Sequence, residues 1–572
     1  MISIKSTILT KNEDIINKNI NLLKCPINML LFYDPVIAED GYTYERHSIE
    51  KHLKTKTTSP MTNENIEKTL ITNILIRQSI QNLIEINSNL KKEYEQAKNQ
   101  YTKLLLNDKN INKVVQDYFS NKTILKNQII NDYGLINNWN VTNVTDMSNL
   151  FEGFYWDDDD NKDDDISKWD VSNVTNMEGM FREFENFNKN LNSWNVSSVK
   201  NMNFMFSCIE EFNQPLNNWD VSNVNTMEGM FEDCSYFNQH LDNWNVSNVT
   251  DMTNMFHFAR SFNQPINNWN ISNVIHISGI FNDANKFNQP LNDWDVSNVE
   301  NMEYMFHEAR CFNQPLNNWN VSRVTNMQFM LSHSIEFNQP LNNWNVSNVE
   351  KMGNLLSHLE KFNYSLNNWD VSKVTYMGGL FCCTESFNQP FYNWNVSNVK
   401  NMSYMFYHTT SFNQPLNNWN VSKVVCMDMM FGNTMQFNQP LNNWNVSKVN
   451  DMRQMFNDAK IFNQPLNNWN VSQVTHMGYM FKGTKSFNQP LNNWNVSNVA
   501  TMTGMFSNTI SFNQPLNDWD VSNVILMDYM FYDTESFNQH LNDWNVSKVS
   551  NMKSMFISAK TFNIQENASW YS

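Results

Sequence analysis

The sequence predicts an α+β chain in three parts: a small non-repetitive head over residues 20–84, a helical linker over 85–135, and a long repeat solenoid of short strands and helical turns over 136–567. Three observations predict it. A phrase whose commonest form is FNQPLNNWNVSNVxNMxxMF recurs with its tryptophan at Trp139, Trp169 and Trp194, then every 25 residues through Trp544. Self-similarity at one fixed period marks an array in which each unit buries a face against the next. The residues ahead of the array do not repeat; they carry short apolar runs, turn signals and helical periods. Finally, 41% hydrophobic and 13% aromatic residues supply a long core, which excludes a disordered chain.

In the unit that starts at Trp194, the apolar landmarks are Val196, Val199, Met202, Met205, Phe206, Phe212 and Leu216. The first three fit neither strict alternation nor a long amphipathic helix. A tight coil of extended pieces with one helical turn is expected, Met202, Met205 and Phe206 forming one face of that turn. Pro215 reads as a turn, because it fixes its own φ and lacks a donor. The recurring Asn195, Asn201, Asn213 and Asn217 are expected to stack coil on coil, since an amide both donates and accepts. Asp stands irregularly beside the tryptophan, at Asp170, Asp220, Asp295, Asp370 and Asp520. The Trp, Met and Phe columns read as core, and Asn-x-Ser phrases such as Asn195-Val196-Ser197 as backbone-bonding residues.

The repeats differ most two residues after the first Met of each unit. Phe204, Tyr304, Phe329, Tyr404, Tyr479 and Tyr529 stand there, among Gly, Asn, Met and Gln in other units. If the neighbouring Met and Phe face inward, this position faces outward. The six aromatics are therefore candidate substrate-binding residues, of the composition favoured at binding hot spots; drift on a solvated face is the alternative. At a rise of about 4.8 Å per coil, the array would span about 80 Å.

Formal net charge is −17 and the pI about 5.1, which argues against a nucleic-acid partner. No apolar run reaches about 18 residues, so no membrane partner is expected. Met1 to Asn12 carry Lys5 and Lys11 without an apolar stretch, which predicts a cytoplasmic rather than a secreted chain. Cys25, Cys208, Cys234, Cys311, Cys382, Cys383 and Cys426 fall at unrelated offsets with no CxxC pair. They read as free thiols, with neither a disulfide ladder nor a zinc site built on Cys pairs, and no cofactor is expected. The acidic stretch Asp157 to Asp165 lacks the Gly and Glu of an EF-hand and reads as a solvated loop. The Asn, Lys and Ile bias fits an AT-rich genome, that of a protist or of a large DNA virus acting in host cytoplasm.

In the linker, Ile76, Ile80, Leu83, Leu90, Tyr94, Ala97, Tyr101 and Leu104 step by fours and threes, with Asn87 interrupting. This heptad pattern admits a homodimer through residues 76–104, or one amphipathic helix packed on its own head or on the first coil. Val114 to Tyr133, ending in Tyr133-Gly134, reads as a cap over the first coil.

The head orders its landmarks closely: Cys25-Pro-Ile-Asn-Met, Asp34-Pro-Val, Asp40-Gly-Tyr-Thr-Tyr-Glu-Arg46, Ser59-Pro-Met-Thr62 and Leu70-Ile-Thr-Asn73. Asp40-Gly41 predicts a hairpin turn. A helix opening at Tyr44-Glu-Arg would bury Ile49 and Leu53, and a second after Asn73 would carry Leu75, Ile80 and Leu83. One Cys and two His cannot supply the eight ligands of a two-zinc fold.

That succession resembles the U-box, the RING-related module of ubiquitin ligases in which hydrogen bonds and ion pairs replace metal. The resemblance implies scaffold roles for Asp34, Glu45, Arg46 and Asn73. It implies an apolar groove for a ubiquitin-charged E2 enzyme at Ile27, Met29 and Pro60, with Asn63 where many members carry Arg or Lys. The implied activity is that of an E3 ubiquitin transferase with no covalent intermediate on the ligase and no cofactor. The unit WNVSNVTNMxxMF with FNQPL resembles the repeat of BspA-like, leucine-rich-repeat-related proteins over about three quarters of the chain. That family implies a protein-binding solenoid, here selecting an unknown protein substrate. A non-catalytic binding or structural repeat protein with an inactive U-box is the alternative.

Overall fold

The structure, a computed structural model, describes residues 20–571 apart from 68, 86, 104, 121 and 156–163. Met1 to Asn12, Leu104, the side chain of Tyr101 and most of the acidic stretch Asp157 to Asp165 lie outside the described residues. The chain divides into two compact units, 1–143 and 144–572.

The first unit begins with a three-stranded antiparallel sheet in the order β2-β1-β3, built from β1 (Pro35–Ile37), β2 (Thr43–Glu45) and β3 (Ile71–Thr72). The register pairs Val36 with Tyr44 on one side and with Thr72 on the other. Gly41, at φ 78°, turns β1 into β2; only glycine takes that conformation freely. Tyr44 and Glu45 belong to β2, so the following helix opens later than expected: α1 spans Arg46–Thr55 and buries Ile49 and Leu53. The helix α2 (Ile74–Ile84) is capped by Asn73, whose side-chain oxygen accepts from the Ile76 N–H at 3.1 Å. Its inward residues are Ile76, Ile80 and Leu83, whereas Leu75 is 76% exposed. Leu75 lies on the opposite face because one residue is about 100° of helix.

The linker departs from a single helix. The helix α2 ends at Ile84, and a second one, α3 (Ser88–Lys103), follows, with Asn87 accepting from the Asn89 and Leu90 amides. Ile80, Leu90 and Ala97 are buried in the head's own core, with Ile76, Leu83 and Tyr94 packed against it. Of the heptad residues, Ile76, Ile80, Leu83, Leu90, Tyr94 and Ala97 thus pack within the unit, in keeping with the helix packed on its own head. Two further helices, α4 (Ile111–Tyr118) and α5 (Thr123–Tyr133), pack together, and Tyr118 meets the Trp139 ring edge-on at 5.3 Å.

In the second unit, successive 25-residue coils are joined by single parallel bridges, Asn176 to Asn201 to Thr226 and onward to Asn551. The expected short strands and helical turns are corrected here. Among the described residues, no regular strand or helix lies between residue 144 and α6 (Ile564–Asn567). The reason is an alternation of hydrogen bonds. The N–H groups of Met202, Phe204, Phe206 and Cys208 donate to carbonyls of the next coil, at Thr226, Glu228, Met230 and Glu232, over 2.7–3.1 Å. Those of Met205 and Ser207 close turns within the coil. Phe204 and Cys208 have φ of 54° and 59°, which stops the would-be helical turn.

The apolar landmarks point inward: Val196, Val199, Met202, Met205, Phe206, Phe212 and Leu216 are all buried. Many rings stack on their counterparts 25 residues on, as Phe206 on Phe231 at 5.7 Å and Trp219 on Trp244 at 6.5 Å. From Trp194 to Trp544 the indole N–H as a rule also donates to a leucine or isoleucine carbonyl 28 residues back, Trp244 to Leu216 at 3.0 Å. Trp419 breaks the rule. Phe391 stands where leucine is usual, and the buried Trp419 Nε1 has no partner among the described residues.

Only part of the asparagine set forms columns. Asn213 accepts the Asn238 N–H at 3.0 Å and the Gln239 side-chain amide at 2.9 Å. Asn195 instead turns back within its own coil to accept from the Ser197 N–H. Asp220 makes the same local bond to Ser222 at 3.0 Å. An acceptor suffices there, which explains why Asp and Asn interchange beside the tryptophan.

Candidate functional site

The site begins at two loops of the head. In loop 1, the Cys25 N–H donates to Leu30 O at 2.8 Å and the Met29 N–H to Cys25 O at 2.8 Å. Asn28 reinforces the turn, accepting from the Leu30 N–H at 3.0 Å and donating to Ser48 Oγ on α1 at 2.9 Å. This places Ile27 half-buried against the core and leaves Met29 68% exposed at φ 60°. In loop 2, buried Ser59 accepts from the N–H groups of Met61 at 3.0 Å and Thr62 at 2.8 Å. Pro60 is half-buried, and Met61 and Asn63 are exposed, Asn63 at φ 62°. Asparagine tolerates that left-handed geometry better than a longer side chain does.

A polar network braces the sheet behind the loops. Glu45, 5% exposed, accepts from the backbone N–H groups of Tyr33 at 2.8 Å and Asp34 at 3.0 Å. Burial pushes its carboxyl up, and those donors offset only part of that. Asp34 takes the Arg46 Nε at 2.8 Å on one oxygen and the Arg77 guanidinium on the other. Arg46 also donates to Thr72 Oγ1 at 3.0 Å, and Asn73 Nδ2 to Thr43 Oγ1 at 2.9 Å. Asp34, Glu45, Arg46 and Asn73 therefore lie together, tying β1, β2, β3 and α2.

Sequence reasoning missed Asp40, Ser59, Tyr44 and Arg77. Asp40 accepts from Ser59 Oγ at 2.5 Å, Tyr44 OH at 2.6 Å and the Tyr42 N–H at 2.9 Å. Burial raises its pKa, but the bonds from Ser59, Tyr44 and Tyr42 together outweigh burial and hold the carboxyl below its ordinary value. Burial and the bond to Asp40 push the Tyr44 phenol well up. The signal was present as the Asp of the turn pair and the Ser before Pro60, but 19 residues separate the partners.

A cavity of about 470 Å³ opens beside loop 1, lined by Ile27, Leu30, His47, Ser48, Lys51 and Ala97 among others. Met29, Pro60 and Asn63 do not line it. The apolar side chains at the loop tips, Met29 and Met61, are 68% and 49% exposed.

In the second unit, the six aromatic candidates share one column and all have φ between 54° and 58°. Tyr304 and Phe329 stack at 4.8 Å, and Tyr404 and Tyr529 are 39% and 36% exposed. Phe204 and Tyr479, by contrast, lie across Gly229 and Gly504 of the next coil, where a Cβ would come closer than 3.0 Å to the ring. Asn149, Asn254 and Asn354 cover Gly179, Gly279 and Gly379 in the same way. Much of the variation in this column is thus steric pairing, a large side chain followed by glycine one coil later.

A small three-stranded head held by carboxylate–guanidinium pairs and presenting two apolar loop tips has the form of a RING-related docking module. Comparison with known families agrees: residues 21–89 match the U-box domain. Overlapping segments from 88–155 through 464–570 match the family described as "Mycoplasma protein of unknown function, DUF285". The chain belongs to the DUF285 family, with BspA-like repeats, and carries a U-box domain at its N-terminal end.

Relatives share the head. A probable bifunctional E2/E3 enzyme of Acanthamoeba polyphaga mimivirus is 42% identical over 64 residues, 11% of this chain and 5% of that protein. WD repeat, SAM and U-box domain-containing protein 1 of Danio rerio is 55% identical over 49 residues, 8% and 10% of the two chains. U-box domain-containing protein 54 of Arabidopsis thaliana is 37% identical over 83 residues, 14% and 27% of the two chains. The match thus spans between 5% and 27% of these relatives' lengths. No helix among the described residues is long and apolar enough to cross a membrane.

Proposed function

We propose that the protein is an E3 ubiquitin-protein ligase whose U-box recruits a ubiquitin-charged E2 enzyme and whose repeat solenoid selects a protein substrate. One observation carries this reading: the head that matches the U-box family presents apolar tips at Met29 and at Pro60-Met61 on loops pinned by buried hydrogen bonds. A preordered apolar surface loses little conformational freedom on docking. The match to a protein named as a probable E2/E3 enzyme points the same way.

In this reading, Ile27, Met29 and Pro60 contact the E2, Asp34, Glu45, Arg46 and Asn73 brace the sheet behind them, and Asp40 and Ser59 hold the loop of Pro60. The ligase contributes positioning: it restrains the charged E2 so that a substrate lysine attacks the thioester, without becoming modified itself. Asn63 touches the same face but offers no charge, so restraint of the donor is weaker than a cation there would give. Tyr304, Phe329, Tyr404 and Tyr529 are the substrate-binding candidates with free ring faces or edges; Phe204 and Tyr479 serve partly as lids. The protein acts where ubiquitin is found, in the cytoplasm, that of a host cell if it is viral.

The test is autoubiquitination by the full chain with a panel of E2 enzymes, beside Ile27→Ala and Asn63→Arg. Ubiquitin ladders that fall at least tenfold in Ile27→Ala and strengthen in Asn63→Arg are expected. No ladders with any E2, from a head shown to be folded by hydrogen exchange, would leave a binding or structural repeat protein with an inactive U-box.

A further inference from the structure

One column of the second unit carries soft metal ligands that its sequence spacing conceals. The second left-handed position of each coil holds His333, His358, Cys383 and His408 in four consecutive coils, with φ between 56° and 61°. Coil stacking brings residues 25 apart side by side. The His358 N–H donates to Cys382 O at 2.7 Å, and the rings of His333 and His358 stack at 3.7 Å. The ligand atoms of His358, Cys382 and Cys383 all lie within 4.8 Å of one another. All three side chains are half-buried.

Two consecutive residues of extended chain point to opposite faces and cannot chelate one ion. Left-handed Cys383 removes that obstacle, and its Sγ sits 3.7 Å from Cys382 Sγ. Two sulfurs each about 2.3 Å from one ion at the tetrahedral angle would be about 3.8 Å apart, so the pair is already spaced for a shared cation. Cys382 also lines a shallow cavity of about 370 Å³, together with Gly378, Gly379 and Ser403 among others.

We propose that His358, Cys382 and Cys383 bind one thiophilic d10 cation, Zn²⁺ or Cu⁺, with a fourth position open to the cavity. Two thiolates and an imidazole suit both ions and disfavour Mg²⁺ or Ca²⁺. Each thiol gives its proton to solvent as the ion binds. The cluster of Cys426, Asp428 and Asp451 is a poorer candidate, because Arg453 already pairs with Asp451 at 2.6 Å. The absence of metal expected from the missing CxxC pair did not weigh the adjacent Cys382-Cys383, to which the preceding coil brings His358.

The test uses the reduced full chain, stripped with a chelator and titrated separately with Zn²⁺ and Cu⁺ against chromophoric competitors, and with Co²⁺ as a spectroscopic probe. One tight equivalent of at least one ion, with a sulfur-to-cobalt charge-transfer band, is expected. Affinity should fall more than about 100-fold in Cys382→Ser and in Cys383→Ser, more than loss of an outer-shell partner costs. It should stay unchanged in Cys311→Ser, which alters an exposed thiol elsewhere. If the variants unfold, the unaltered protein still decides: one equivalent of metal should slow maleimide labelling of Cys382 and Cys383 more than tenfold. Affinity indifferent to both serine variants, no binding of either ion, or labelling indifferent to metal would overturn the proposal.

Discussion

Replacing Gly504 with alanine separates the two roles of the variable column. Gly504 has φ 56°, and a Cβ there would come closer than 3.0 Å to the Tyr479 ring. The left-handed backbone costs an alanine about 1–2 kcal/mol. Overpacking against the ring adds about 1–3 kcal/mol, less if Tyr479 swings out toward solvent. Gly504→Ala should therefore destabilise its coil by about 3 kcal/mol. One coil earlier, Gly478 has no left-handed φ, and its added Cβ would meet nothing closer than Thr503 O at 3.5 Å. Gly478→Ala should be neutral or stabilising by up to about 1 kcal/mol, through the unfolded chain. Combining Tyr479→Ala with Gly504→Ala removes the overpacking and leaves the backbone cost, a coupling of about 1–3 kcal/mol. The assay is native-state hydrogen exchange of the Tyr479 and Gly504 amides, which donate across the coil junction at 2.7 and 2.8 Å. Local opening is the apt measure because an array need not unfold as one unit. If alanine costs no more at 504 than at 478, or its cost ignores Tyr479→Ala, the pairing argument fails.

Two further outcomes follow. Ser59→Ala should loosen loop 2 by about 1–3 kcal/mol, seen as faster exchange over residues 57–66. Asp40 is held below its ordinary pKa, so its contribution is present above the unfolded value and is lost as pH falls through the folded one. Without the Ser59 donor Asp40 moves back up, and the difference in loop protection between pH 7 and pH 3 should shrink; an undiminished difference would place the acid-sensitive group elsewhere. Phe391→Leu should give the orphaned Trp419 Nε1 a carbonyl, as in neighbouring coils, and stabilise that coil by about 1 kcal/mol. Slower exchange of the Trp419 amide would register it, and faster exchange would mean the ring packs better than it excludes.

The sequence revealed most where the chemistry is local. The Asp40-Gly41 turn, the Asn73 cap and the inward Ile49 and Leu53 all depend on residues within a few positions. The inward columns of the repeats were equally legible, because one phrase repeated many times averages out accident. What escaped was any partnership across distance: Ser59 with Asp40, Arg77 with Asp34, and His358 with Cys382 and Cys383. The heptad of the linker was real as a pattern, but periodicity alone does not say which surface covers an apolar face, and the head itself does. The variable column was misleading for a different reason. Its alternation of large residues with glycine signalled positive φ and close approach, while outward direction alone suggested recognition.

The pairing of a large side chain with a glycine one coil later bears on how such a chain can change length. Most junctions are interchangeable, so loss or duplication of one 25-residue unit would leave a neighbour much like the old one. The five covered glycines of the variable column are different, for there the two sides of the junction are lock and key. Deleting residues 229–253 would lay Phe204 against Asn254 instead of Gly229, whereas deleting 204–253 as one block would bring Gly179 directly before Asn254. Where these pairs stand, the units of inheritance become doublets, and the array carries punctuation that restricts which recombinants still fold.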